Sequence, residues 1–231
     1  MNKQQSGFTL VEIAIVLVII GLLLGGVLKG QELINSAKVK NFATDFRNIP
    51  LFIYGYQDKY KAIPGDDSAV ATTHLGATVG GITVVLATTG GTVGNGALEG
   101  AWNSTVQTDE TVLFWQHVRL AGLAAGPTTA PANAAAVPAF LPRNAEGGVI
   151  GITGGANTPV TGLTGSYIVC SANILGKFAK QLDLTMDDGG PATGSVRIIA
   201  NQTVNQAAAA AAIATVALTL DDTPYTVCMA L

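Results

Sequence analysis

Histidine and cysteine are scarce in this chain, two of each in 231 residues, and charged residues make up only 12 %. His74, His117, Cys170 and Cys228 cannot supply the repeated ligand spacing of a zinc module. No Gly-x-Gly-x-x-Gly or phosphate-loop motif occurs, and the aspartates show no paired-carboxylate pattern, so no catalytic set is legible and the chain does not read as an enzyme. Basic charge is also short. Twelve Lys/Arg against fifteen Asp/Glu leave a formal charge of −3, which gives no strong electrostatic footprint for nucleic acid.

What the chain has in excess is one apolar run. From Phe8 to Leu28 the sole charge is Glu12, and about 20 apolar residues at about 1.5 Å each span a hydrocarbon core of roughly 30 Å. A transmembrane helix is therefore expected over about 8–28. A charged side chain at the centre of such a segment costs on the order of 2.5–3.5 kcal/mol, so an intramembrane acid is by default a functional residue. Glu12 lies four residues past Phe8, roughly 6 Å along the axis, which places it near the interface and lowers that cost.

The block Gly7-Phe8-Thr9-Leu10-Val11-Glu12, preceded by the short polar stretch Met1 to Ser6 with Lys3 and followed by the apolar run, resembles the N-terminus of type IV prepilins and type II secretion pseudopilins. The resemblance implies a leader at 1–7, cleavage after Gly7 by prepilin peptidase, and methylation of the new N-terminal Phe8. It also implies an inner-membrane precursor, an assembly platform there, and a filament of this and related subunits in the periplasm or at the cell surface. An uncleaved signal anchor would need the apolar run alone.

Physical chemistry assigns the motif a part in assembly. A free Phe8 amine, with a reference pKa of about 7.7–8.0, is mostly cationic near neutral pH. Glu12 of a neighbouring subunit is its natural partner, because each charge alone is expensive in a low-dielectric bundle while the pair satisfies both. Gly21, Gly25, Gly26 and Gly30 add small surfaces of the kind membrane helix interfaces use, or else weaken the helix locally. The presence of Glu12 argues against a tip subunit, since family members at the tip can lack that acid.

Beyond the membrane the helical pattern continues. Val39, Phe42, Phe46, Ile49, Ile53, Tyr56 and Tyr60 fall at spacings of three and four, a stripe that stays in phase across Pro50. One kinked helix is expected over 8–61, on the order of 80 Å long, ended by Ile63-Pro64-Gly65-Asp66-Asp67. A Tyr-Lys-x-x-Pro-Gly-Asp-Asp stretch at this place also resembles a large bacterial subset of prepilin-like proteins. Residues 62–231 then form a head. Charge divides unevenly, with six Lys/Arg against four acids over 8–65 and five against eleven over 66–231.

In the head, Thr72 to Gly100 and Gly126 to Gly165 read as long surface excursions, the first with a strand-like Ile82 to Leu86. Asp109 to Leu120 reads as a short amphipathic helix with Leu113, His117 and Leu120 on one face, and Ser171 as the N-cap of another with Ile174, Phe178 and Leu182 inside. Tyr167 to Cys170, Ser195 to Ile199 and Tyr225 to Cys228 read as strands. Ala207 to Leu220 is too short for a second crossing and is assigned to the head. The fold class is α+β, a long N-terminal helix packed on a head with antiparallel strands.

In an oxidising envelope Cys170 and Cys228 are expected to pair, restricting the unfolded chain by roughly 4 kcal/mol on the entropic model. Such a loop resembles the variable region of type IV pilins and is less typical of the major secretion pseudopilin. Asp183, Asp187 and Asp188, ahead of Gly189-Gly190-Pro191, form an acidic turn. Its spacing is not that of an EF-hand, which favours a solvated turn whose carboxylates cap backbone amides over a Ca²⁺ site, although related pseudopilins bind calcium in an acidic C-terminal loop. Three readings follow: a pilus-like filament subunit, a pseudopilin of a type II secretion system, and, in another class, a monomeric membrane-anchored envelope protein.

Overall fold

The computed structural model describes residues 10–202 and 221–231. Gly7, Phe8 and the Ala207 to Leu220 stretch lie outside the described residues. The chain divides into two compact units, 1–38 and 39–231.

In the first unit the described residues are helical throughout, as part of α1 (Leu10–Tyr60). The aliphatic side chains of this stretch are exposed, from Leu10 at 88 % through Leu17 at 63 % to Leu28 at 66 %. This helix is long and apolar enough to cross a membrane.

The second unit begins inside α1. Val39, Phe42, Phe46, Ile49, Ile53 and Tyr56 are buried, at the three-and-four spacing that aligns side chains on one face of a helix. The helix runs through Pro50 without a break, and Lys61, at φ 54°, turns the chain out of it. A small antiparallel hairpin follows, β1 (Thr78–Val79) with β2 (Ile82–Thr83). Next come α2 (Glu110–Leu120), the single turn α3 (Val137–Phe140), β3 (Ile150–Gly154), β4 (Tyr167–Leu175), α4 (Gly176–Met186), β5 (Val196–Ala200) and β6 (Pro224–Ala230). The last four strands form one antiparallel sheet in the order β3-β4-β6-β5.

Alternation along the strands builds a core on each face of that sheet. Val169, Ile174, Ile198 and Val227 join Phe42, Phe46 and Ile49 of α1, Phe114 and Val118 of α2, and Phe178 and Leu182 of α4 in the main core. Ile168, Cys170, Ile199 and Cys228 face the other way, against Trp102, Val160 and Leu163. Each fully buried large aliphatic or aromatic side chain contributes about 1.5–3 kcal/mol relative to exposure.

Four sequence expectations need correction. Ser171 is not a helix N-cap: it lies within β4, paired with Ile150 and Val227, and α4 starts only at Gly176. The strand outlasts the apolar run because a bulge between Ser171 and Ile174, with Asn173 at φ 59°, absorbs the polar residues. Asn is the side chain besides glycine that tolerates that conformation best. The 126–165 stretch is not all surface excursion, since its Ile150–Gly154 is a fully buried strand. Helix α2 is not amphipathic in its setting, because every residue from Glu110 to Arg119 is buried. Finally, in 72–100 the expected strand over Ile82 to Leu86 shrinks to the two-residue β2, paired with the two-residue β1, and Val84, Ala87 and Leu98 of this stretch are buried.

Candidate functional site

The residues singled out in the sequence fall at three places. Glu12 is an acid in the first turn of the described helix, among exposed aliphatic side chains. At Gly21, Gly25, Gly26 and Gly30 an added Cβ would meet nothing within 4 Å, so these glycines are open small surfaces within this chain. They are not relief of an internal clash, which is what a close helix neighbour requires of them.

The second place is the pair of central strands. Cys170 and Cys228 are direct partners in the β4/β6 register, with Cα atoms 4.1 Å apart and the sulfurs bonded at 2.08 Å. Both are fully buried beneath Trp102, Val160 and Leu163. The bond closes a sequence separation of 58 residues, enclosing α4, β5 and the acidic turn.

That turn is the third place. Asp183, Asp187 and Asp188 come together, each offering a carboxylate oxygen mutually within 4.8 Å. Asp187 Oδ2 accepts from the Val196 amide at 2.8 Å and Asp188 Oδ1 from the Gly190 amide at 2.8 Å, so amide capping is real at two of the three. Hydrogen bonds from Thr193 and Gly190 hold the Asp188 carboxyl below its ordinary range. Asp183 differs. It is completely buried, neither oxygen makes a hydrogen bond of normal geometry, and burial followed by the charges of Asp188 and Asp187 pushes its carboxyl up to about 6, only partly offset by the Gly189 amide. A buried carboxylate facing two more is the donor set a hard divalent cation satisfies, with carbonyls or waters completing six to eight oxygens.

A fourth cluster escaped the sequence reading, although the Pro64-Gly65-Asp66-Asp67 stretch marks it. Asp66 accepts the amides of Gly94, Asn95 and Gly96, gathering the 94–96 loop onto the end of α1. Asp67, 2 % exposed, accepts the Tyr56 hydroxyl at 2.7 Å, the Ala69 amide at 3.0 Å and His74 Nδ1 at 2.8 Å. Burial and the Asp67 carboxylate together push the Tyr56 hydroxyl far up. His117 is fully buried, takes the Gly65 amide on Nδ1 at 2.9 Å and donates from Nε2 to the Val85 carbonyl at 2.9 Å, which fixes a neutral tautomer; burial accordingly lowers its pKa. Gly65 sits at φ +94°, and a Cβ there would come within 2.5 Å of the Glu110 carbonyl oxygen, so only glycine lets the turn press against α2. These polar groups are mutually satisfied. They fasten the loops of the head to the end of α1.

No curated protein and no solved structure matches the chain. Residues 2–28, however, match the family model described as the prokaryotic N-terminal methylation motif. Together with the apolar helix from Leu10, that match fits an inner-membrane-anchored precursor carrying the prepilin-type cleavage and methylation signal of type IV pilins and pseudopilins, a family of structural filament subunits.

Proposed function

We infer that this chain is a structural subunit of a type IV pilus-like filament. Prepilin peptidase cuts it between Gly7 and Phe8, and an inner-membrane platform assembles it through its N-terminal helix, Glu12 of one copy receiving the Phe8 amine of another. The observation that carries the reading is the methylation motif at residues 2–28 on a helix whose apolar side chains find no cover in their own unit. Such a helix needs lipid before assembly and other helices after it. The role is structural and not enzymatic, the acidic head gives no footing for nucleic acid, and the filament stands in the periplasm or at the surface.

Mass spectrometry of the assembled protein tests the processing step. Its N-terminal peptide should begin at methylated Phe8, and a Gly7→Glu variant should retain all seven leader residues; a retained leader in wild-type filaments would refute processing and favour the monomeric anchored class.

The pseudopilin of a type II secretion system is the second reading, favoured by buried Asp183 in the acidic turn. Asp183, Asp187 and Asp188 would hold Ca²⁺ there, which would neutralise their mutual repulsion and tie the end of α4 to the start of β5. Chelation should then lower the Tm of the oxidised protein by several degrees, and Asp187→Ala should abolish that response. An equal Tm with and without chelator would remove calcium.

A further inference from the structure

In the second unit the half-buried carboxylate of Asp45 stands apart from its own chain's polar groups. Asp45, on α1, makes no hydrogen bond or ion pair among the described residues, and burial alone pushes its carboxyl up to about 6. With Asn48 it lines a cavity of about 110 Å³ whose other walls are apolar, Ile49, Phe52 and Pro142 among them. Arg143, which lines an adjoining cavity together with Asp45, spends its guanidinium on the Gly147 and Pro138 carbonyls. A mainly apolar recess with a carboxylate in its lining suits a basic side chain, whose stem packs on the walls while its head meets the acid.

The cations of the same unit narrow the source. Lys59 lies over Tyr60, Lys61 meets Asp58, Arg119 binds two carbonyls, Lys177 and Lys180 pair with Asp222 and Asp221, and Arg197 caps a turn. Among the described residues 39–231, that leaves Lys40 and Arg47 without a partner, both exposed and both on α1. Neither can serve Asp45 of its own chain. At about 100° per residue Arg47 points roughly 200° away, nearly to the opposite side of the helix, and Lys40 about 140° away. Lys40 and Arg47 are seven residues apart and share one face, which continues through Leu51 and Tyr54 at 64 % and 58 % exposure. Among the described residues of this unit those are two of the four large apolar side chains that are exposed, with Leu86 and Leu184.

We propose that this outer stripe of α1 docks on the next copy of the chain, Arg47 of one subunit entering the recess at Asp45 of its neighbour while Leu51 and Tyr54 cover apolar surface beside it. The inference rests on the filament reading above and names a contact within it. Charge complementarity selects a second copy as occupant, since the unpartnered acid and the unpartnered bases occur on the same helix. Because donor and acceptor surfaces differ, the contact is head-to-tail and repeats as an open helical row.

The test is cysteine cross-linking in filaments of the full-length chain, in which Cys170 and Cys228 are already bonded. Asp45→Cys/Arg47→Cys should give a ladder of multimers on mild oxidation, and the two single variants co-expressed should stop at dimers. A double variant that stops at dimers, or filaments with no cross-link, overturns the contact. The charge swap guards against misfolding: Asp45→Arg and Arg47→Glu should each cut filament incorporation by about tenfold or more, and the double variant should restore it. Failure of the swap to restore incorporation in protein that still forms the Cys170–Cys228 bond also counts against the pairing. Glu12→Ala separates the two layers of the argument. Filaments that need Glu12 but ignore Asp45 refute this contact alone, whereas filaments indifferent to Glu12 refute the assembly reading beneath it.

Discussion

The two units of this chain handle apolar side chains in opposite ways. Over residues 10–28 the Leu, Ile and Val side chains are exposed, whereas among the described residues of 39–231 most of the same residue types are sequestered on the two faces of a four-stranded sheet, Leu51, Leu86 and Leu184 being the exposed exceptions. Polar groups divide likewise. The second unit closes its internal accounts through residues such as Asp66, Asp67 and His117, each serving amides or hydroxyls of its own unit. A unit whose apolar surface is covered and whose buried polar groups are mostly paired is stable by itself. A helix with neither kind of cover is specified by what lies outside the chain, lipid first and other helices afterwards.

The sharpest way to break this comparison is Glu12→Ala. It should leave membrane insertion easier and the Cys170–Cys228 bond formed, yet abolish filament incorporation or nearly so, because it removes the partner of the Phe8 amine and nothing the head depends on. Counting filaments by electron microscopy, with fractionation to follow insertion, gives the answer. Polymerisation at the wild-type level would show that the carboxylate does not register the helices.

The head should respond in the reverse sense. Replacing Cys170 and Cys228 together by serine removes a bond closing 58 residues and should cost about 2–4 kcal/mol of head stability, while leaving insertion of the apolar helix unchanged. Denaturant melts of the detergent-solubilised chain measure the first and fractionation the second. Peptide mapping without reductant should show one linked pair; free thiol in envelope protein would contradict the structure directly.

What could be read from the sequence follows the same division. The N-terminal motif, the stripe from Val39 to Tyr56 and the strands at 167, 196 and 224 are local patterns, and local patterns were enough to place them. The misses depend on tertiary contact. Ile150-Gly151-Ile152-Thr153-Gly154 looks like loop because of its glycines, yet a Cβ on Gly151 would fall 1.8 Å from the Trp102 carbonyl oxygen, so glycine is there to admit a neighbouring segment against the strand. Ser171 resembles an N-cap, but its hydroxyl accepts from Asn144 Nδ2 at 2.8 Å, a partner 27 residues upstream that no local window contains. Asp66 and Asp67 read as turn punctuation, since only the folded chain brings the amides of 94–96 and the imidazole of His74 to them.

The smallest effect concerns Glu110, where the self-sufficiency of the head is incomplete. Its side chain is fully buried in the first turn of α2; Oε2 accepts the Glu99 amide at 2.7 Å, while Oε1 has no partner. Burial is the main cause that lifts its carboxyl from 4.5 to about 7, and the Glu99 amide pulls the other way. A group whose pKa is raised on folding favours the fold while it is protonated in both states, and that contribution is lost as pH climbs from about 4.5 through 7. Glu110→Gln keeps an acceptor for the Glu99 amide and has no charge to bury. The variant should therefore match wild type below pH 4.5, gain on it through the window, and level off above pH 7 at an advantage of up to about 3 kcal/mol. Paired denaturant melts at pH 4 and pH 8 measure the difference, and a gap that is equal at both pH values would show that the Glu110 carboxylate is better solvated than its burial implies.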